Sequence, residues 1–199
     1  MSDRIIRACY DESSIRVYQA FGDSIADSAL ANGTFISPPF KLHRMTWIKP
    51  SFLWMMYRCG WGVKEEAQKR VLAMRISRRG FEWALINSIG SLRRECATDE
   101  EWARLKKIAP VRIQWDPDRD IFSKPLTDRA IQIGLSGVAV DLYVRDWIIG
   151  ITDVTDTVAH MRHLISAGKV EEASLLMPKE AAYPLSLEIA EHIGADIKL

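Results

Sequence analysis

The chain has 199 residues, with 27 lysines and arginines against 26 aspartates and glutamates, for a net charge of +1. That length fits a single domain able to bury a large core. The near-zero balance argues against a broad, sequence-independent grip on duplex nucleic acid and leaves room only for a local basic patch.

The composition, 48% hydrophobic and 27% charged, is that of an ordinary globular protein. Cys9, Cys59 and Cys96 are odd in number and widely spaced, which argues against a disulfide framework or a zinc knuckle and fits a reducing cytoplasm. The opening MSDRIIRACY is charged and lacks the apolar stretch of a signal peptide, and no run is long enough to span a membrane. No linker, repeat or low-complexity tract interrupts the chain, so residues 1–199 read as one domain.

Residues 15–21 (IRVYQAF) have strand composition, with Ile15, Val17 and Gln19 on one face and Arg16 and Tyr18 on the other. Gly22-Asp23 turns the chain. Asp23 or Ser24 then caps a helix that carries Ile25, Ala29 and Leu30 and ends at Asn32-Gly33. Ser37-Pro38-Pro39 reads as extended loop, and Ser51 after Pro50 starts a second helix that Gly60 stops. Residues 71–76 (VLAMRI) suit a buried strand, and Arg78-Arg79-Gly80 a turn into a helix over residues 81–89. Residues 99–107 read as helix, with Trp102 and Leu105 three apart. Val111, Ile113 and Trp115 alternate with Arg112, Gln114 and Asp116, a half-buried strand ended by Asp116-Pro117. Residues 131–135 and 148–151 are further strands, and residues 156–167 and 179–193 close the chain as amphipathic helices. The irregular order of strands and helices predicts an α+β fold: a single compact domain, its sheet mixed or mainly antiparallel, with flanking helices.

The segment RMTWIKPSFLWMMYRCGWG, residues 44–62, is the richest in chemistry. Trp47, Trp54, Trp61 and Tyr57 are interleaved there with Arg44, Lys49 and Arg58. Aromatic faces beside cations suit a flat anionic ligand such as a nucleotide. The same residues also suit a core helix whose cations snorkel to solvent. Common catalytic motifs for phosphate loops, dinucleotide turns, zinc proteases, serine hydrolases and dithiols are absent. His160 and His163 stand three apart on one helix face but lack an evident third ligand, and a surface pair is the simpler reading. Asp116, Asp118 and Asp120 alternate in WDPDRD; without a Gly and a distal Glu they read as a turn with a solvated Arg–Asp face rather than a calcium loop. Cys59 beside Arg58 lacks a positioned His and reads as a core thiol. No metal site is expected.

Two resemblances add to this reading. The order of strand, turn, short helix and Gly in IRVYQAFGDSIADSALANGTF resembles the opening of the ADP-ribosyltransferase superfamily, with Gln19 where that superfamily carries His or Arg. Ser51, Trp54 and Tyr57 correspond to its middle stacking segment, and Gln132 in RAIQIGL to the Glu or Gln of its third motif. That resemblance implies a split sheet and an NAD cofactor. Along nearly its full length, through RACYDESSIRVYQAF, RMTWIKPSFLWMMYRCGWG, QWDPDRD and RAIQIGL, the chain resembles the bacterial and fungal family of domain of unknown function 4291. That family supplies no reaction, but it marks these four polar and aromatic segments as signatures, which implies a cleft where they converge or a polar network that stabilises the fold.

The expected function is therefore a nucleotide-binding enzyme, an NAD-dependent transferase of the ADP-ribosyltransferase type. Gln132, Gln19 and Asp116 (or Asp118) are the candidate catalytic groups. Arg7, Arg16, Tyr18, Arg44, Trp47, Lys49, Ser51, Trp54 and Tyr57 are the candidate cofactor-binding groups, with an RNA or a protein as acceptor. The alternative is a module that binds single-stranded RNA or a nucleotide-bearing end without chemistry.

Overall fold

The alternation in IRVYQAF does build a strand. The computed structural model describes residues 3–90 and 98–197, so Cys96 lies outside it. After a two-residue strand, Arg7–Ala8 (β1), comes Ser14–Phe21 (β2), with Ile15, Val17 and Gln19 buried and Arg16 exposed. Tyr18, on the opposite face, is buried too, because that side is covered by a second layer of helices. The helix Asp23–Asn32 (α1) starts with Gly22 at its cap and no side-chain cap bond. Asp23 and Ser24 are therefore not the cap: Asp23 lies in the first turn and pairs with Lys69 and Arg70. Gly33, at φ +68°, ends the helix. Ser37-Pro38-Pro39 is a tight turn rather than extended loop, with both X–Pro bonds cis and the Phe40 N–H on the Ile36 carbonyl at 3.1 Å.

Thr46–Ile48 (β3) is a short strand hidden in the tryptophan-rich segment. Phe52–Cys59 (α2) follows, capped by the Ser51 hydroxyl on the Trp54 N–H and closed by Gly60 at φ +58°. Arg70–Ser77 (β4) runs straight into Arg78–Ile86 (α3). Arg78-Arg79-Gly80 is the first helical turn, because the Ser77 hydroxyl takes the Gly80 N–H. The chain continues through Ser88–Gly90 (β5), Asp99–Ile108 (α4), Val111–Arg119 (β6) and Pro125–Leu135 (β7). Pro117 does not end β6; a register shift between Pro117 and Arg119 carries the strand past it. Val138–Leu142 (α5) passes into a π-helical stretch, Tyr143–Trp147, then Ile148–Asp153 (β8), Thr155–Ser166 (α6) and Val170–Leu175 (α7). The expected helix over residues 179–193 is reduced to Leu187–Ile193 (α8). Its front part instead forms Ala181–Ala182 (β9), which pairs antiparallel with β1, while Tyr183 buries its ring and donates its N–H to Ile6.

Among the described residues these elements form eight α-helices and three mostly antiparallel sheets, an α+β domain. One sheet has the order β2-β4-β8 and another β3-β7-β6-β5, with β5 and β6 parallel. The two meet at one antiparallel bridge, where Tyr18 and Lys49 exchange backbone hydrogen bonds of 2.8 and 3.3 Å. Beyond that bridge β2 and β3 diverge. The main core fills one side of both sheets. On the other side, Tyr18 and Val71 from the first sheet pack with Phe52, Met55, Met56 and Cys59 of α2 and Met161 of α6. Among the described residues no helix is long and apolar enough to cross a membrane.

Candidate functional site

Where β2 and β3 separate, the gap becomes a cleft of about 490 Å³, within the range of small-molecule sites. Its walls come from the end of β2, the loop before β3, β3 itself, one flank of α2 and the turn at residues 65–68. Arg44, Lys49 and Arg58, the three cations of the signature segment, all line it, together with Lys41. Glu65 is the one acidic side chain facing them among the described lining residues. Trp47 supplies an indole face, with Phe21, Phe40, Met45 and Met55 around it. Trp47 packs close against Gly134 of β7: a Cβ there would sit 2.9 Å from the indole ring. A glycine at that position is what lets the ring settle on the sheet.

Gln19 enters the cleft from β2, almost wholly buried. Its amide nitrogen donates to the Thr46 hydroxyl at 2.6 Å, and its oxygen accepts from the Tyr143 hydroxyl at 2.9 Å. Burial holds the Tyr143 phenol well above its ordinary range, so it stays a donor. The side chain is thus pinned at both ends.

Lys49 forms the floor. It is 6% exposed, and its ammonium donates to the Trp47 carbonyl at 3.0 Å. Burial pushes its pKa down to about 7, with the nearby Arg58 charge adding to the effect, against smaller upward pulls from Cys59 and Asp116.

The other sequence candidates fall into three places outside this cleft. Gln132 donates to one oxygen of Asp116 at 2.7 Å and Gln114 to the other at 2.8 Å. The register of β3 on β7, carried one residue further, sets Lys49 alongside Gln132, so this amide–carboxylate group adjoins the cleft floor. Trp54 and Tyr57 occupy another flank of α2, their rings 5.4 Å apart, with the Arg119 guanidinium 3.6 Å above the Tyr57 ring. They stack on the protein itself.

Arg7, Arg16, Tyr18 and Ser51 gather instead around the N-terminus of α2. The Ser51 hydroxyl donates to Asp118 at 3.1 Å, and Arg7 bridges Asp118 at 3.9 Å and Asp128. Asp118 is buried, so WDPDRD is not a solvated face. Glu180 accepts the Phe52 N–H at 2.7 Å, and burial together with the Asp118 charge raises it to about 8. Burial also raises Asp118. Tyr18 lies edge-on to Phe52, its rings' centroids 5.5 Å apart. Cys59 is a buried core thiol, and His160 and His163 are exposed on α6. Among the described residues no group of three His, Cys, Asp or Glu side chains is placed to hold a metal ion.

Glu180, Lys41, Thr46 and Tyr143 were not singled out from sequence. Glu180 sits between two prolines with no periodic signal, and Tyr143 is far from the aromatic cluster in the chain. An α+β domain with a cationic, aromatic cleft at a sheet junction is the class that fold and site define. Residues 5–183 match the family described as Domain of unknown function (DUF4291), and the chain belongs to that family. No curated protein matches it.

Proposed function

We propose that the cleft binds an anionic nucleotide and that the chain is an NAD-dependent transferase of ADP-ribosyl groups. The observation that carries this is that Arg44, Arg58, Lys41 and Lys49 line one cleft together with Trp47. The guanidinium groups suit bidentate contacts to phosphate oxygens, and the indole suits a planar base or nicotinamide. A phosphate that reaches the floor returns Lys49 to its charged form. Rupture of the nicotinamide–ribose bond sends its electron pair to nicotinamide and leaves positive charge on the ribose. An amide hydrogen of Gln19, which lines the cleft, would hold a ribose oxygen, and Asp116, held by Gln132 beside the floor, would supply a carboxylate. Trp54 and Tyr57 have no part in this scheme, since they pack on each other outside the cleft and Tyr57 lies under Arg119.

Calorimetric titration with NAD, ADP-ribose, ATP and short single-stranded RNAs tests the binding, and nicotinamide release tests the chemistry. NAD and ADP-ribose should bind, and Arg44→Ala should weaken them about tenfold or more, the scale of one charge-assisted contact. Saturable RNA binding that falls steeply with salt, with no NAD binding, would replace this reading with the RNA-end module.

A further inference from the structure

We infer that Lys49 is a nucleophilic amine that forms an imine with an aldehyde bound in the cleft, favouring one that carries an anionic group and a planar ring. The inference concerns the same cleft, but it stands whether or not the natural guest is a nucleotide.

Three features of the cleft carry it. Lys49 is buried and lines a cavity that opens to solvent, so it borders the space a guest would fill while little of it meets bulk water. Among the described residues no carboxylate lies within ion-pair distance of its nitrogen; its hydrogen bond goes to the Trp47 carbonyl, a neutral acceptor that leaves the nitrogen free to lose a proton. The cations above it, Arg44 and Arg58, would anchor an anionic substituent while Trp47 receives the ring.

The charges around the amine agree with this geometry. Arg58 from α2 opposes its protonation, Asp116 from β6 and Cys59 from α2 favour it, and burial outweighs them. At neutral pH an exposed lysine keeps about one amine in a few thousand unprotonated, whereas a lysine near 7 keeps about half. The step balances without oxidant or reductant. The Nζ lone pair attacks the aldehyde carbon, and the carbonyl π pair moves to oxygen. The resulting carbinolamine takes up a proton at oxygen and gives one up from nitrogen, both exchanged with solvent. It then expels water, leaving C=N.

The test uses pyridoxal phosphate as an anionic aromatic aldehyde, with pyridoxal as its uncharged counterpart, at pH 7. Borohydride fixes any imine as an amine, and peptide mass mapping locates it. Lys49 should be the dominant adduct, about tenfold or more above any exposed lysine. Pyridoxal should label it less than the phosphate does. Lys49→Met should lose the adduct while keeping or raising its melting temperature. Label spread over exposed lysines with Lys49 unmodified would overturn the inference, and the wild-type map alone decides the matter if the variant fails to fold. Protection by ADP-ribose separates the two proposals. Labelling at Lys49 that ADP-ribose does not suppress counts against the nucleotide reading only. ADP-ribose binding with no adduct at Lys49 counts against the amine only.

Discussion

Glu180→Gln should stabilise the protein, and the gain should depend on pH. Glu180 is raised from 4.5 to about 8, chiefly by burial. The folded state therefore holds this proton more tightly than the unfolded chain. Its contribution is complete below pH 4.5 and is lost as pH rises toward 8. At pH 7 the loss amounts to about 3 kcal/mol, at about 1.4 kcal/mol for each pH unit above the unfolded value. Glutamine keeps an oxygen for the Phe52 N–H and carries no charge to desolvate. For a domain of this size the variant should melt about 6–12 °C higher at pH 7, and little changed at pH 5. Lys49 has the opposite sign. Its depressed value means that stability is lost as pH falls from 10.5 toward 7, so wild-type stability should rise again above pH 8. Scanning calorimetry from pH 5 to 10 should show wild-type stability falling, passing through a minimum between pH 7 and 8, and recovering. Glu180→Gln should remove the acid-side fall, and Lys49→Met the alkaline rise. A wild-type profile flat from pH 5 to 8, or a Glu180→Gln loss equal at every pH, would rule out a buried, proton-holding Glu180.

Other consequences follow from packing. A Cβ on Gly80 would lie 2.3 Å from Cγ of Trp147, at the rigid base of the indole; Gly80→Ala should cost about 1–3 kcal/mol by chemical denaturation. Gln19→Met strips the buried Tyr143 hydroxyl of its acceptor and should cost about 1–3 kcal/mol. Adding Tyr143→Phe should return part of that loss, and a double-mutant cycle with no coupling would contradict the hydrogen-bond assignment. Gly134→Ala should displace the Trp47 ring toward the cleft, so that ligand affinity falls even where the melting temperature is nearly kept.

What was legible in the sequence followed local rules. Ser51 and Gly60 bracket α2 because a hydroxyl cap and a left-handed glycine are local devices. The alternation in β2 and in β6 up to Asp116 was equally plain. Long-range pairing was not. Residues 181–182 pair with residues 7–8, a partner invisible to any window, so the amphipathic pattern of 179–193 predicts helix from residue 179, whereas a two-residue strand and a loop precede α8. The three residues of β3 are too few to declare a period. In the site, Arg44, Lys49, Arg58 and Trp47 come together because they belong to one short stretch around one junction. Trp54 and Tyr57 leave it because helical rotation sets them on another flank of α2, where they pack on each other and Tyr57 meets Arg119, a residue fixed by β6. The depressed Lys49 and the raised Glu180 arise from burial, which only tertiary packing decides.

A crystal structure of the protein with ADP-ribose decides whether the cleft between the diverging strands receives a phosphate-bearing nucleotide. Ligand density is expected between Trp47 and Arg58, with phosphate oxygens on Arg44. Density at another surface, or an empty cleft at saturating ligand, would contradict nucleotide binding there.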